Sequence, residues 1–133
     1  MRDMNFVWPV RVYYEDTDAA GVVYYANYLK FMERARTEWL RALGVEQTDL
    51  LGNHEVVFVV HHVAAKYHQP ARFNDALLIE THIQHLTPVR IKFAQRVMRD
   101  GVQLVSSEVA VVCVNAMTFK PVKIPQHIID LLE

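Results

Sequence analysis

The longest stretch with a helical pattern of apolar and polar positions covers residues 26–43. Its apolar side chains recur every three or four residues and would form one stripe, made of Tyr28, Leu29, Met32, Ala35, Trp39, Leu40 and Leu43. Polar residues fill the other side, where Arg34 and Glu38 have the i,i+4 spacing that lets opposite charges meet. Gly44 is suited to end the helix. The pattern predicts one long amphipathic helix.

The other apolar segments are shorter and rich in β-branched and aromatic residues, which is typical of strands. A first strand is predicted over residues 7–15, and four more over 55–67, 75–86, 90–99 and 103–116. Prolines and the pair Asp100-Gly101 separate the later strands, and Asp-Gly between two such segments is a strong hairpin signal. Residues 124–133 are predicted to include a short helix.

The order of these elements indicates an α+β fold. One helix after the first strand, followed by four strands with short connections, does not alternate as a parallel βαβ fold would. We therefore predict an antiparallel sheet packed against one helix. Residues 56–60 and 109–114 are apolar at nearly every position, so both faces of these strands should be covered. The helix covers one face, and we expect a second copy of the chain to cover the other.

Length and charge narrow the class of protein. With 133 residues the chain has the size of a single domain, which we assign to residues 1–133. Its formal net charge of −1 gives no basic field for nucleic acid. Residues 1–10 lack the apolar region of a signal peptide, and no apolar segment approaches the ~18 residues of a membrane span. We expect a soluble cytoplasmic protein without a membrane span.

Several kinds of chemistry are disfavoured by the residues present. The only serines, Ser106 and Ser107, lie in a strand without a nucleophile elbow, and 4 scattered glycines form no phosphate-binding loop. The single Cys113 lies in an apolar strand and is expected to be a buried, inert thiol in a reducing compartment. His61 and His62 should point to opposite faces of a strand, as should His82 and His85. The 7 histidines are therefore expected at surfaces or interfaces, and no metal site is predicted.

The segment "EDTDAAGVVYY" allows two interpretations. Asp16 and Asp18 could form a polar turn that satisfies local backbone donors. Alternatively, a carboxylate just before a helix amino terminus would stand beside unpaired N–H groups and partial positive charge, with Gly21 allowing close backbone approach to a ligand. An acid or nucleophile beside an oxyanion site suits acyl transfer. We expect Asp16 to be the structural member of the pair.

The stretch "YYEDTDAAGVVYYANYLKFMERARTEWLRALG" closely resembles the hotdog-fold acyl-CoA thioesterases of the 4-hydroxybenzoyl-CoA thioesterase class. Within that class it is most similar to the Tol-Pal-associated, YbgC-type branch. "PARFND", "QRVMR" and "FKPVKIP" follow in the order of that branch, so the resemblance covers nearly the whole chain. It implies a five-stranded antiparallel sheet wrapped around one long helix, in homodimers that often assemble into homotetramers.

The resemblance also implies roles for individual residues. Asp18 matches the catalytic carboxylate, as nucleophile or general base, and the backbone N–H of Tyr25 would polarise the thioester carbonyl. The substrate-binding residues matched in this way are Gly21, Val22, Tyr24, Arg90 and Lys92, the last two meeting phosphates of CoA at a subunit interface. The substrate would be an acyl-CoA, or an acyl group on acyl carrier protein.

One residue departs from the branch, and two other functions stay open. The branch usually has histidine where this chain has Tyr25, although the 4-hydroxybenzoyl-CoA thioesterases have tyrosine there. A hotdog dehydratase would need a histidine on the central helix, and residues 26–43 contain none. A non-catalytic protein that binds acyl-CoA or acyl carrier protein, or scaffolds enzymes of lipid and envelope metabolism, would also use a carboxylate and a pocket.

Overall fold

A computed structural model describes residues 5–133 of the chain. Residues 1–4, part of the stretch predicted to lack a signal peptide, lie outside the described residues. The strands are β1 (Asn5–Arg11), β2 (Val56–Tyr67), β3 (Ala76–Leu86), β4 (Arg90–Arg99) and β5 (Val102–Asn115). The helices are α1 (Asn27–Ala42), the short α2 (Gln47–Asp49), which continues into a π-type turn over Leu50–His54, and α3 (Gln126–Leu132).

The five strands form one antiparallel sheet in the order β1-β3-β4-β5-β2. The predicted β4–β5 hairpin is present, with Asp100 and Gly101 at φ 51° and 79° in its turn. β-Bulges interrupt the pairing between Val60 and His62 and between Ile83 and His85. Because of the second bulge, His82 and His85 pair with Ala94 and Lys92, which lie on one face of β4. The prediction that these two histidines face opposite sides is wrong.

Helix α1 packs against the inner face of the sheet through its apolar stripe. Five of the seven predicted members, Tyr28, Met32, Ala35, Trp39 and Leu40, are buried. Leu29 is 39% exposed, whereas Phe31 and Arg36 are buried although neither was in the predicted stripe. The buried face of α1 thus includes Phe31 and Arg36 in place of Leu29, and it brings one charged residue into the interior.

Two local predictions are corrected. β1 ends at Arg11 rather than at residue 15, because Tyr14–Asp16 form a 3-10 turn in which the Asp16 amide donates to the Tyr13 carbonyl at 3.0 Å. Arg34 makes no ion pair within residues 5–133, whereas Glu38 pairs with Arg41 on the next turn of α1.

The two segments predicted to be covered on both faces, residues 56–60 and 109–114, have different surroundings. Residues 109–114 of β5 are buried along their whole length within one copy of the chain. β2 forms an edge of the sheet, and Val60 is 52% exposed there. The pattern in β5 therefore needs no second copy to explain it, and the oligomer stays a prediction.

Candidate active site

The loop between the 3-10 turn and α1 holds Asp18 at a tight reversal of the chain. The Asp18 amide donates to the Val22 carbonyl at 2.9 Å, and the Gly21 amide donates to the Asp18 carbonyl at 3.0 Å. Gly21 has φ +78°, which favours glycine, as the sequence analysis expected. Asp18 is exposed in the single chain, and its Oδ1 accepts a hydrogen bond from the Ala20 amide at 2.8 Å. Its second carboxylate oxygen makes no hydrogen bond within residues 5–133.

Asp16 links the turn to the helix. It is only 8% exposed, and its Oδ2 accepts from the Tyr13 amide at 2.9 Å while its Oδ1 accepts from Asn27 Nδ2 at 3.1 Å. Asn27 is the first residue of α1. These contacts fix the start of the helix relative to the turn, as expected for the structural member of the pair.

The Asp18 loop is also docked on the connection between β2 and β3. Val22 pairs with Arg72, and the Val23 amide donates to the Ala71 carbonyl at 2.8 Å. The Ala71 amide in turn donates to the hydroxyl of Tyr28 on α1 at 2.9 Å. The loop, the β2–β3 connection and the helix are therefore tied together by buried hydrogen bonds.

The amide of Tyr25 is available at the amino terminus of α1. Within residues 5–133 it donates no backbone hydrogen bond, and no side chain caps the helix. Unpaired amides at a helix start carry partial positive charge and bind anionic oxygen. This end of α1 can therefore stabilise a developing oxyanion.

Four tyrosine rings lie close to one another near the start of α1. The Tyr25 ring lies 4.8 Å from that of Tyr24 and 6.2 Å from that of Tyr67, and Tyr67 lies 5.6 Å from Tyr28. Burial raises the pKa of both Tyr28 and Tyr67. These hydroxyls therefore stay protonated at neutral pH and offer hydrogen bonds rather than charge.

Arg90 and Lys92 lie at the other end of the sheet. Lys92 pairs with His85 near the end of β3, whereas the Asp18 loop contacts residues just before β3 begins. Nine residues of β3 separate these places, which is about 30 Å at roughly 3.3 Å per residue. Lys92 Nζ lies 3.3 Å from Glu108 Oε2. One copy of the chain thus brings Gly21, Val22, Tyr24 and Tyr25 together with Asp18, but not Arg90 or Lys92.

A cavity of about 530 Å³ adjoins the turn that leads to Asp18. Its apolar wall includes the rings of Tyr14 and Phe73, which stack with centroids 3.7 Å apart. The other lining residues are Arg11, Val12, Tyr13, Glu15 and Asn74. Space for a ligand is therefore present on this side of the loop.

The sequence analysis missed a buried polar network beneath α1. Arg36 Nη1 donates to Gln95 Oε1 at 2.9 Å, and Gln95 Nε2 donates to the Met32 carbonyl and to Thr81 Oγ1, each at 2.9 Å. The sequence carried a signal for Gln95, because it lies two residues from both Phe93 and Val97 and therefore shares their inward face of β4. Arg36 follows Met32 by four residues and so falls on the same helix face.

Other candidate chemistries have no site in the described part of the chain. Residues 5–133 contain no group of three histidine, cysteine or acidic side chains placed to hold a metal ion. Cys113 is buried as expected, and burial raises the pKa of its thiol, which makes it a poor nucleophile. No helix in this part of the protein has both the length and the apolar character to span a membrane.

Comparison with known proteins is consistent with this arrangement. The thioesterase-like superfamily matches residues 12–132. The acyl-CoA thioesterase YbgC of Haemophilus influenzae is 46% identical over 128 residues, 96% of this chain and 94% of that protein. The acyl-CoA thioester hydrolase YbgC of Escherichia coli (strain CFT073) is 46% identical over 130 residues, 97% of this chain and 96% of that protein. The crystal structure of a probable thioesterase from Bartonella henselae superposes with a TM-score of 0.87 at 35% identity, covering 92% of this chain and 100% of that one.

Proposed function

The chain belongs to the thioesterase-like superfamily and has its hotdog fold, and on this premise we propose that it hydrolyses the thioester bond of acyl-CoA. The observation that carries the proposal is the Asp18 loop, which leads into the start of α1: the Asp18 carboxylate keeps one oxygen without a hydrogen bond, and the Tyr25 amide donates to no group of residues 5–133. The names of the relatives, which describe acyl-CoA thioesterases, support the same substrate class.

In the proposed reaction the acyl carbonyl oxygen accepts a hydrogen bond from the Tyr25 amide. A preorganised donor of this kind contributes about 10²–10³ in rate. The free oxygen of Asp18 then attacks the carbonyl carbon to give a mixed anhydride, or removes a proton from a water molecule that attacks. On either route the carbon–sulfur bond breaks, the thiolate of CoA leaves and is protonated, and water supplies the new oxygen of the free acid.

The decisive variant is Asp18→Asn. It keeps the shape of the side chain and the acceptor for the Ala20 amide but removes both the nucleophile and the base. We expect thiol release from acyl-CoA to fall by about 10²–10⁴, the usual contribution of such a group, while binding of acyl-CoA is retained. Asp130→Asn is the matched control, because it makes the same change at an exposed residue of α3, outside the Asp18 loop and its adjoining cavity, and should leave the rate unchanged.

The assay can follow released CoA with a thiol reagent, because the only cysteine, Cys113, is buried. Turnover of Asp18→Asn close to that of the unmodified protein would reject the role of Asp18. Absence of thiol release across short, long and aromatic acyl-CoA esters would instead favour the non-catalytic binding function.

Finer features of the site also belong to this proposal. Gly21, Val22 and Tyr24 would contact the substrate, and Arg90 and Lys92 would meet CoA phosphates from a second copy of the chain. Acyl carrier protein as the acyl donor, assembly as a homotetramer, the cytoplasmic location and the link to Tol-Pal stay predictions.

A further inference from the structure

A second cleft of about 90 Å³ lies between α1 and β2, away from the Asp18 loop. Its apolar floor comes from the inner face of the sheet, namely Phe58, Val60, Ile91, Phe93 and Val111, together with Leu40 of α1. Its polar rim is formed by Glu33, Arg36, Thr37 and Gln47. The cleft is thus an apolar slot whose polar rim carries one cation, Arg36, and one carboxylate, Glu33.

Arg36 is the unusual member of this cleft. It is only 9% exposed, and its one hydrogen bond within residues 5–133 goes to the neutral amide oxygen of Gln95. No carboxylate of the described residues lies within 4.0 Å of it; Glu33, on the preceding turn, accepts from Thr37 Oγ1 instead, at 3.2 Å. Burial lowers the pKa of Arg36, and the negative charge of Glu33 offsets part of that shift.

Arg36 lines the cleft, and its guanidinium keeps donors that no group of residues 5–133 accepts. No fully buried side-chain nitrogen or oxygen in residues 5–133 lacks a hydrogen-bond partner, so the unbonded nitrogens of Arg36 must keep access to open space. Gln95 holds the guanidinium in place. The Nε2 of Gln95 donates to the Met32 carbonyl and to Thr81, and this orients the Oε1 of Gln95 toward Arg36. The donors are therefore preorganised before any ligand arrives.

A row of three apolar or aromatic side chains on β2, which we call the apolar path, lies between the proposed oxyanion site and this cleft. Val60, Val63 and Tyr67 of β2 pair with the buried inner residues Val111, Val109 and Val105 of β5, so they lie on the inner side of the sheet. They are nevertheless 52%, 38% and 45% exposed. Tyr67 contacts the Tyr25 ring at one end of the path, and Val60 lines the cleft at the other.

We propose that this path holds the acyl group and that Arg36 binds a carboxylate at its far end, so that the preferred substrates are acyl-CoA esters of dicarboxylic acids. This inference rests on the proposed function. From Asn27 to Arg36, α1 rises about 14 Å at roughly 1.5 Å per residue, and Tyr25 lies two residues before its start, so a long acyl group is required. A carboxylate is the complementary group, because the planar guanidinium binds it through two parallel hydrogen bonds.

The test compares acyl-CoA esters with and without a terminal carboxylate at several matched chain lengths. The unmodified protein should have a kcat/KM at least about tenfold higher for the carboxylated ester at the length that reaches Arg36, the ratio that about 1.4 kcal/mol produces. Arg36→Met should remove this preference, so that the carboxylated and plain esters of that length have kcat/KM values within about threefold of each other. Arg36→Lys, which retains the charge, should keep part of the preference, and Arg34→Met, at an exposed position of α1, should keep all of it.

Inhibition of the unmodified protein by free acids gives a second readout that needs no variant. Long dicarboxylates should inhibit at least about tenfold more strongly than monocarboxylates of equal length, by the same conversion. If plain esters are hydrolysed and neither the esters nor the free acids show a preference, the assignment of Arg36 is overturned while the thioesterase function stands. If no ester is hydrolysed, the proposed function fails as well.

Discussion

The hydroxyl of Tyr28 joins three segments that build the proposed site, so its removal is an informative perturbation. Tyr28 is buried in α1 and accepts a hydrogen bond from the amide of Ala71, which is completely buried. The Ala71 carbonyl receives the Val23 amide from the Asp18 loop. Tyr28→Phe keeps the ring contacts with Phe31 and Tyr67 but leaves a buried amide without an acceptor.

The expected cost follows from that unsatisfied amide. A buried donor that loses its partner destabilises a protein by about 1–3 kcal/mol. An unfolding entropy of about 2.1 cal/mol/K per residue gives about 0.28 kcal/mol/K for a chain of this length, so each kcal/mol shifts the Tm by about 3.6 °C. Tyr28→Phe should therefore lower the Tm by about 4–11 °C.

Thermal and urea unfolding measure this effect directly, and amide exchange locates it. The Ala71 and Val23 amides should exchange faster in Tyr28→Phe, while amides in the β4–β5 hairpin change little. Tyr14→Phe is the control, because Tyr14 is 75% exposed and its hydroxyl makes no hydrogen bond within residues 5–133, so its Tm should shift by less than about 2 °C, as for exposed substitutions in general. A Tyr28→Phe protein with an unchanged Tm and unchanged exchange at Ala71 would refute the reasoning.

Two further predictions concern the connection and the loop beside Asp18. Burial alone would raise the pKa of Asp75, but the Arg72 amide and Arg99, each 2.8 Å from its Oδ2, lower it overall. Asp75→Asn should therefore reduce the free energy of unfolding at pH values above the ordinary pKa of 3.8, and this loss should disappear as the pH falls through the lowered pKa. Urea unfolding at several pH values measures the effect. Gly21→Ala should cost about 1–2 kcal/mol from its positive φ alone, since no atom lies within 4 Å of the added methyl group. Gly52→Ala has equal space and no positive φ, so in the same unfolding experiment it should stabilise the protein by about 0.4–1 kcal/mol.

The elements that depend on periodic burial could be predicted from the sequence. The predicted bounds of β4 agree with the structure, and those of α1 differ by one residue at each end, because each shows a repeated pattern over ten or more residues. The end of β1 could not be predicted in this way. Its aromatic residues continue a strand pattern to Tyr14, but the side chain of Asp16 hydrogen-bonds the local backbone and favours a turn.

Sequence reasoning found the Asp18 loop but not the partners of Arg36. The loop is formed by residues close together in the sequence, and its glycine and aspartates predict a reversal of the chain next to a helix start. The burial of Arg36 depends on Gln95, which lies 59 residues later in the chain and reaches it only after the sheet has formed. A spacing rule along one helix carries no information about such a partner.

The distance between Asp18 and the pair Arg90 and Lys92 limits how the proposed site can bind CoA. In one copy of the chain the Asp18 loop lies near the start of β3, whereas Arg90 and Lys92 lie beside its end, about 30 Å away along the strand. Arg72, by contrast, pairs with Val22 of the Asp18 loop, and its side chain is exposed. On the proposed function, the phosphates of a CoA whose thioester lies at Asp18 would meet either Arg72 of the same copy or Arg90 and Lys92 of a second copy. The second arrangement makes catalysis depend on assembly, whereas the first makes each copy sufficient for binding.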